Sequence, residues 1–200
     1  MTASAGESTI RKAVPADADR IGMMLARAFD DDPFINFLMK QDGTRARRIA
    51  AWAQDAATVS IGLGETYVTE DHSGAALWTP PGQAHHLGRF ARYRRISRFA
   101  GPIGALRLSR ALDMIDARDP TVPHFYLRII GVEPDQQRRG IATKLMQPVL
   151  AHCDTKRIPA HLFSTKAANV PLYEQHGFVV TERLDLPAGP AVWTMWREPR

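Results

Sequence analysis

The chain has 200 residues, 44% hydrophobic and 24% charged, a net charge of +5 and a pI near 9.7. The length suits one domain with a full core, and the composition is that of a soluble globular protein. No apolar run approaches the roughly 18 residues of a membrane span. One cysteine excludes an internal disulfide. The opening MTASAGESTIRK has no apolar h-region, so a cytoplasmic protein is expected. The basic balance favours anionic ligands, nucleic acid among them.

Residues 1–7 are small and polar and are expected to lack regular structure. Residues 9–14 read as a first strand. Pro15, Ala16 and Asp17 then open a helix with Ile21, Met24, Leu25 and Ala28 on one face. Asp30, Asp31, Asp32 and Pro33 follow. Asp32 reads as an N-cap before a first-turn proline, and three adjacent carboxylates would also attract a cationic amine. Residues 45–63 form a helix with Ile49, Trp52, Ala56, Val59 and Leu63 as its apolar stripe. Residues 65–69 and 75–79 pair as a hairpin around a turn in which His72 is expected to be solvated. Between Asp71 and Asp113 there is no acid, while Arg89, Arg92, Arg94, Arg95, Arg98, Arg107 and Arg110 occur. Phe90, Tyr93, Ile96 and Phe99 fall at near-helical spacing, residues 101–104 (GPIG) break the segment, and Leu108, Leu112 and Ile115 mark a second helix. The plain reading of this segment is a solvated basic face. Binding to nucleic acid or a membrane surface is the alternative, and no recognised nucleic-acid motif accompanies it.

Residues 124–142, HFYLRIIGVEPDQQRRGIA, hold the strongest signal. Phe125 to Val132 is a β-branched and aromatic run expected to be buried on both faces. Pro134 ends the strand. The chain then turns into a helix carried on by Leu145, Met146, Val149 and Cys153. Pro148 inside it is expected to kink it or release one hydrogen bond. A strand, a basic turn and a helix start make an anion site, because the first helical amides lack internal partners and the dipole is positive there. Gly140 allows close approach to the backbone, Ala142 is nearly as small, and Arg138 and Arg139 add planar donors. The ligand inferred is a pyrophosphate held by main-chain amides. No GxxxxGK[ST] or GxGxxG is present, which argues against a P-loop or a dinucleotide Rossmann domain.

A fifth strand is expected over 160–165. Next comes NVPLYEQHGF, residues 169–178. Asn169 suits an N-cap, Pro171 the first turn, and Gly177 a left-handed C-cap followed by Phe178. This is one short helix with Tyr173 in its middle. Residues 178–186 and 191–197 are the last two strands.

The QQRRGIA turn resembles the [Q/R]xxGx[G/A] signature of the GNAT (Gcn5-related) N-acetyltransferase superfamily, and the NVPLYEQHGF block follows at that family's spacing. Residues 122–199 are similar to puromycin N-acetyltransferase and its relatives, including GVEPD, NVPLY and the closing WTMWREP. The resemblance implies an α/β GNAT fold: a mixed, mostly antiparallel sheet flanked by helices, with a helical insertion between the third and fourth strands lying over the acceptor side. It implies a single N-acetyltransferase domain over 1–200, with an N-terminal half at 8–80, the insertion at 82–120 and an acetyl-CoA-binding core at 122–198. It further implies acetyl-CoA as cosubstrate and direct acetyl transfer to a primary amine of a small molecule.

By the same resemblance, Gln137, Arg138, Arg139, Gly140, Ile141 and Ala142 would bind the pyrophosphate. Ile130 and Val132 would align the pantetheine, with Asn169 beside it, and Tyr173 would protonate the leaving thiolate. Asp32 and Phe163 would border the acceptor. They stand where the puromycin enzymes carry tyrosine and glutamate, so the acceptor is left open. The base is sought in His124, Glu133 or water, since the fourth strand holds no carboxylate; an unperturbed imidazole pKa near 6.5 suits His124. Cys153 lies with the buried stripe and is expected to be a core thiol. No metal and no membrane are implied, nucleic acid is disfavoured, and a homodimer is left open. Two rival readings are a non-catalytic CoA-binding regulator and a basic nucleic-acid-binding module.

Overall fold

The structure, a computed structural model, describes residues 9–83 and 89–200. They form a seven-stranded sheet of order β1-β2-β3-β4-β5-β7-β6. The strands are β1 (Ile10–Lys12), β2 (Thr66–Thr69), β3 (Gly74–Thr79), β4 (Phe125–Val132), β5 (Ala160–Ser164), β6 (Val179–Asp185) and β7 (Ala191–Arg197). Neighbouring strands are antiparallel except β4 and β5, which are parallel. The helices are α1 (Ala18–Ala28), α2 (Pro33–Leu38), α3 (Arg45–Gly62), α4 (Arg89–Asp116), α5 (Ile141–Lys156) and α6 (Val170–Gln175). No helix among the described residues is long and apolar enough to cross a membrane.

Both faces of the sheet are covered. β3 is buried at every position, because successive side chains point to opposite faces. Ala75 and Leu77 pack with Ile21, Met24 and Leu25 of α1 and Ala53, Ala57 and Ile61 of α3. Ala76 and Trp78 pack with Leu145, Met146 and Val149 of α5. A Cβ on Gly131 would lie 2.6 Å from Leu25 Cδ2, so α1 rests directly on the backbone of β4. Pro148 lies inside α5 without ending it.

The insertion is α4, broken at Gly101 (φ 68°, ψ 177°) just before Pro102. Its second part buries Leu108, Ala111 and Ile115 against Phe34 and Leu38 of α2 and against Leu184, Leu186 and Val192. The segment expected to lack structure, 1–7, lies outside the described residues, as do residues 84–88 of the insertion and the side chains of Arg89, Phe90 and Arg92.

Several sequence expectations change in detail. The buried face of α3 is Ile49, Ala53, Ala57 and Ile61, with Trp52, Ala56 and Val59 only half-buried. Small residues let α1 approach, and Trp52 turns instead to Phe29, edge to face at 6.1 Å. His72 is not solvated: its Nε2 lies 2.7 Å from Asp17 Oδ1, with 12% of its side chain exposed. Asn169 precedes α6 but makes no capping bond. A 3₁₀ turn (Ala167–Asn169) runs into the helix, leaving Asn169 with helical angles where a cap needs extended ones. Gly177 is left-handed (φ 89°) as expected, and the Phe178 amide donates to Tyr173 O at 3.1 Å, closing the helix C-terminus.

Candidate active site

β4 and β5 begin as partners and then separate. Their registered pairs are Phe125↔Ala160, Tyr126↔His161 and Leu127↔Leu162. Beyond Leu127, β4 continues to Val132 paired with β3 alone. A cavity of about 420 Å³ lies in the gap, lined by 127–132 of β4, 162–166 around the end of β5, the start of α5 and one face of α6. Backbone groups of β4 on the β5 side can therefore pair with an extended ligand, as a strand edge does.

The loop into α5 is built for an anion. Arg138 (φ 62°) and Gly140 (φ 78°) are both left-handed, a geometry that curls backbone amides into a concave nest. The Lys144 amide donates to Gly140 O at 3.1 Å. The amides of Ile141, Ala142 and Thr143 precede that bond and have no i−4 acceptor within the helix. A Cβ at Gly140 would meet no protein atom within 4 Å, which leaves the space to a ligand. Gln137 Nε2 donates to Val132 O at 3.1 Å and ties the loop to the strand end. Ile130, Val132, Gln137, Arg138, Gly140, Ile141, Ala142 and Asn169 all line the cavity; Arg139 is exposed and does not.

Tyr173 lines the same cavity from α6. Its ring packs edge to face on Phe178 at 6.2 Å, and its hydroxyl makes no hydrogen bond among the described residues. Burial, aided by the charge of Asp32, raises its pKa above the ordinary phenol value. The proton therefore stays in place at neutral pH. Asp32 is buried at the cavity wall. Its Oδ1 accepts the Phe34 and Ile35 amides at 2.9 and 3.0 Å, the expected N-cap, and its Oδ2 accepts the Thr165 hydroxyl at 2.6 Å.

The two side chains weighed as candidates for the base stand outside this cavity. His124 lines neither this cavity nor its neighbour. It precedes the first residue of β4, six residues from Ile130, or about 20 Å along a strand. There its Nδ1 lies 2.8 Å from Val122 O and its Nε2 3.3 Å from Asp119 Oδ1, which is also 3.4 Å from His161 Nδ1. Burial opposes the imidazolium, but Asp119 and the Val122 carbonyl outweigh it and raise the His124 pKa. Among the described residues, Asp119, His124 and His161 are the group whose ligand atoms converge as a metal site would need, and they stand apart from the cavity. Glu133 also lines neither cavity; both its oxygens accept Arg27 Nε at 3.0 Å. Cys153 is buried among core residues, and burial pushes its thiol up to about 12.

A second cavity of about 340 Å³ adjoins the first and shares Phe34, Ile35, Trp52, Arg128, Ile129 and Phe163 with it. Ile96, Phe99, Ala100, Leu108 and Leu112 of α4 cover it. Arg95 Nε donates to Asp55 Oδ2 at 2.7 Å and so ties α4 to α3. Phe163 stacks on Tyr126 at 6.2 Å. Sequence reasoning missed Trp52, Arg128, Thr143 and Thr165 as lining residues. The first sits on a helix stripe, the second at a strand position with no motif, and the others beside motifs rather than in them.

Residues 105–196 match the family model of the acetyltransferase (GNAT) domain. The chain is 26% identical over 188 residues to an uncharacterized N-acetyltransferase of Schizosaccharomyces pombe, covering 85% of this chain and 74% of that protein. Its fold resembles a histone acetyltransferase HPA2-related acetyltransferase from Corynebacterium glutamicum, with TM-score 0.71, 20% identity and coverage of 96% and 97% of the two chains. It also resembles arylalkylamine N-acetyltransferase 2 from Aedes aegypti, with TM-score 0.67, 14% identity and coverage of 98% and 100%. A third likeness is to an agmatine N-acetyltransferase, with TM-score 0.66, 17% identity and coverage of 95% and 98%. At these identities the structural likeness is one of fold. The family match and the parting of β4 from β5 together identify residues 105–196 as a GNAT acetyltransferase domain, the domain of an acetyl-transferring enzyme.

Proposed function

We propose that the protein is a cytoplasmic acetyl-CoA-dependent N-acetyltransferase acting on a primary amine of a small molecule, by direct transfer within a ternary complex. The observation that carries this reading is the gap between β4 and β5, which runs from the amide nest at Gly140 to the Tyr173 hydroxyl. CoA combines what that gap can take: a pyrophosphate for the loop, an amide-bearing arm for the free side of β4, and a thioester at the far end.

In this reading the amine enters from the second cavity and its nitrogen attacks the thioester carbonyl. Backbone groups near Ile130 polarise that carbonyl, and most of the rate comes from proximity and from stabilising the oxyanion. Tyr173 gives its proton to the departing thiolate. Water takes the proton of the ammonium, because His124 and Glu133 are held elsewhere. Asn169 borders the pantetheine arm, and Asp32 and Phe163 border the acceptor. α4 acts as a lid over the acceptor cavity rather than as a nucleic-acid platform; Arg95 is already committed to Asp55, and Arg107 lies over the Phe37 ring at 5.6 Å. The arylalkylamine and agmatine enzymes of similar fold support a small amine as acceptor.

A CoA-release assay across aminonucleosides, aminoglycosides, polyamines, amino acids, arylalkylamines and peptide N-termini tests the proposal. Acetyl-amine product, identified by mass, is expected for at least one small-molecule class. Tight acetyl-CoA binding without turnover on any amine would leave a CoA-binding regulator instead.

A further inference from the structure

Among the described residues, Arg128 is a charge on a central strand that has no direct partner. It is the extra residue of a β-bulge: Leu77 pairs with Ile129 and Trp78 with Leu127, so Arg128 has no partner on β3. Bulges re-aim a side chain, and this one lines both cavities where they meet. Among the described residues its guanidinium makes no hydrogen bond, and no carboxylate lies within ion-pair distance. Its side chain is half-buried, and burial lowers its pKa although the charge of Asp55 acts the other way.

The acids nearby are spoken for or out of reach. Asp55 is held by Arg95 at 2.6 Å, Asp32 caps α2 and accepts Thr165, and Asp116 lines the second cavity without pairing with Arg128. Partly desolvating a guanidinium that has no direct carboxylate partner is costly, so an anion from a ligand is the group that would balance it. The pyrophosphate nest cannot supply that anion. It begins beyond Val132, four residues or about 13 Å further along the strand.

The geometry points to a carboxylate subsite at Arg128, so that the acceptor is an amino acid or similar aminocarboxylate with an apolar body. This rests on the N-acetyltransferase reading above. A guanidinium fork matches a planar carboxylate through two parallel bonds. Phe34, Trp52 and Phe163 around the junction suit an aliphatic or aromatic side chain. Asp32, on the wall of the first cavity, places a negative charge where the ammonium end would approach Tyr173.

Matched pairs test this: phenylalanine against phenethylamine, tryptophan against tryptamine, arginine against agmatine. CoA release and calorimetric binding to the CoA-loaded protein are measured for wild type, Arg128→Gln and Arg128→Lys, after their melting temperatures are compared. For at least one pair, the wild type should prefer the carboxylate member. Arg128→Gln should lower kcat/KM for that member about 10- to 100-fold, the range of a lost charged hydrogen bond. The decarboxylated amine should change less than about threefold, and KM for acetyl-CoA should stay put. Arg128→Lys, which keeps charge but not the fork, should fall between.

Equal losses on both members, a rise in KM for acetyl-CoA, or a wild-type preference for the decarboxylated amine in every pair would overturn the subsite. So would carboxylate binding that is absent or indifferent to Arg128. Arg128-dependent binding without any turnover would keep the subsite and overturn acetyl transfer instead.

Discussion

The Asp32 carboxylate and the Thr165 hydroxyl, 133 positions apart in the chain, meet at 2.6 Å on the cavity wall. Through this bond the start of α2 and the end of β5 are held together, and Asp32 caps α2 with its other oxygen. Asp32→Ala removes the cap and leaves Thr165 without its acceptor, so stability should fall by about 1–2 kcal/mol. Asp32→Asn keeps an acceptor oxygen for the cap and removes the charge. Its melting temperature should stay close to wild type, while KM for the amine rises roughly tenfold, the size of one charged contact. An Asn variant with wild-type KM would mean that Asp32 serves the helix alone.

Tyr173→Phe removes one oxygen and keeps the ring on Phe178. A cysteine-like thiolate has a conjugate-acid pKa of roughly 8.5 and an ordinary phenol one of about 10. Burial and Asp32 raise that of Tyr173 further, so the acid form is fully populated at neutral pH. If the hydroxyl delivers the proton, kcat should drop by roughly 10²–10⁴, with CoA affinity and melting temperature nearly unchanged. Near-normal turnover would make Tyr173 a packing residue.

Gly140 is left-handed and faces open space. Gly140→Val puts a branched side chain both in a disfavoured conformation and where the phosphates would lie. Affinity for CoA should fall at least about tenfold, as the loss of 1–2 kcal/mol of contacts implies. Gly140→Ala, strained but smaller, should lose less. Calorimetry showing unchanged CoA binding in the valine variant would move the phosphate site away from this loop.

Acid should loosen the first strand before the core. Asp17 accepts Arg11 Nη1 and Nη2 at 2.7 and 2.8 Å and the Val14 amide at 2.8 Å. Arg11 above all, with Val14 and His72, outweighs burial and holds the carboxyl well below the usual range. The stabilisation is complete above the unfolded carboxylate pKa of about 3.9 and is lost as pH falls through it towards the lower folded value. Asp17→Asn should cost about 1–3 kcal/mol at pH 7, or roughly 2–4 °C of melting temperature per kcal/mol at this size. The gap between variant and wild type should shrink below about pH 4. A gap that is constant from pH 7 to pH 3 would show that charge is not what Asp17 contributes.

The sequence by itself determined the strands, the helix starts and the phosphate-type loop, because these depend on local chemistry. A continuous β-branched and aromatic run wrote β4, a small glycine after a basic turn wrote the start of α5, and Pro171 with Gly177 bounded α6. The family could be read from QQRRGIA and NVPLYEQHGF for the same reason: each motif is a turn whose backbone needs those residues. Tertiary structure decided the rest. His124 looked like a base by its pKa class, yet distance along β4 takes it to Asp119 and His161. Asn169 stood at a cap position, yet the 3₁₀ turn before it had already made it helical. Trp52 belonged to a helix stripe by spacing, but the small residues beside it drew α1 in and turned it to the cavities. Arg128 carried no motif; a one-residue bulge against β3 aimed it where two cavities meet. Local chemistry fixes what a residue can do, while strand register and helix packing fix where it stands, and those depend on contacts dozens of residues apart.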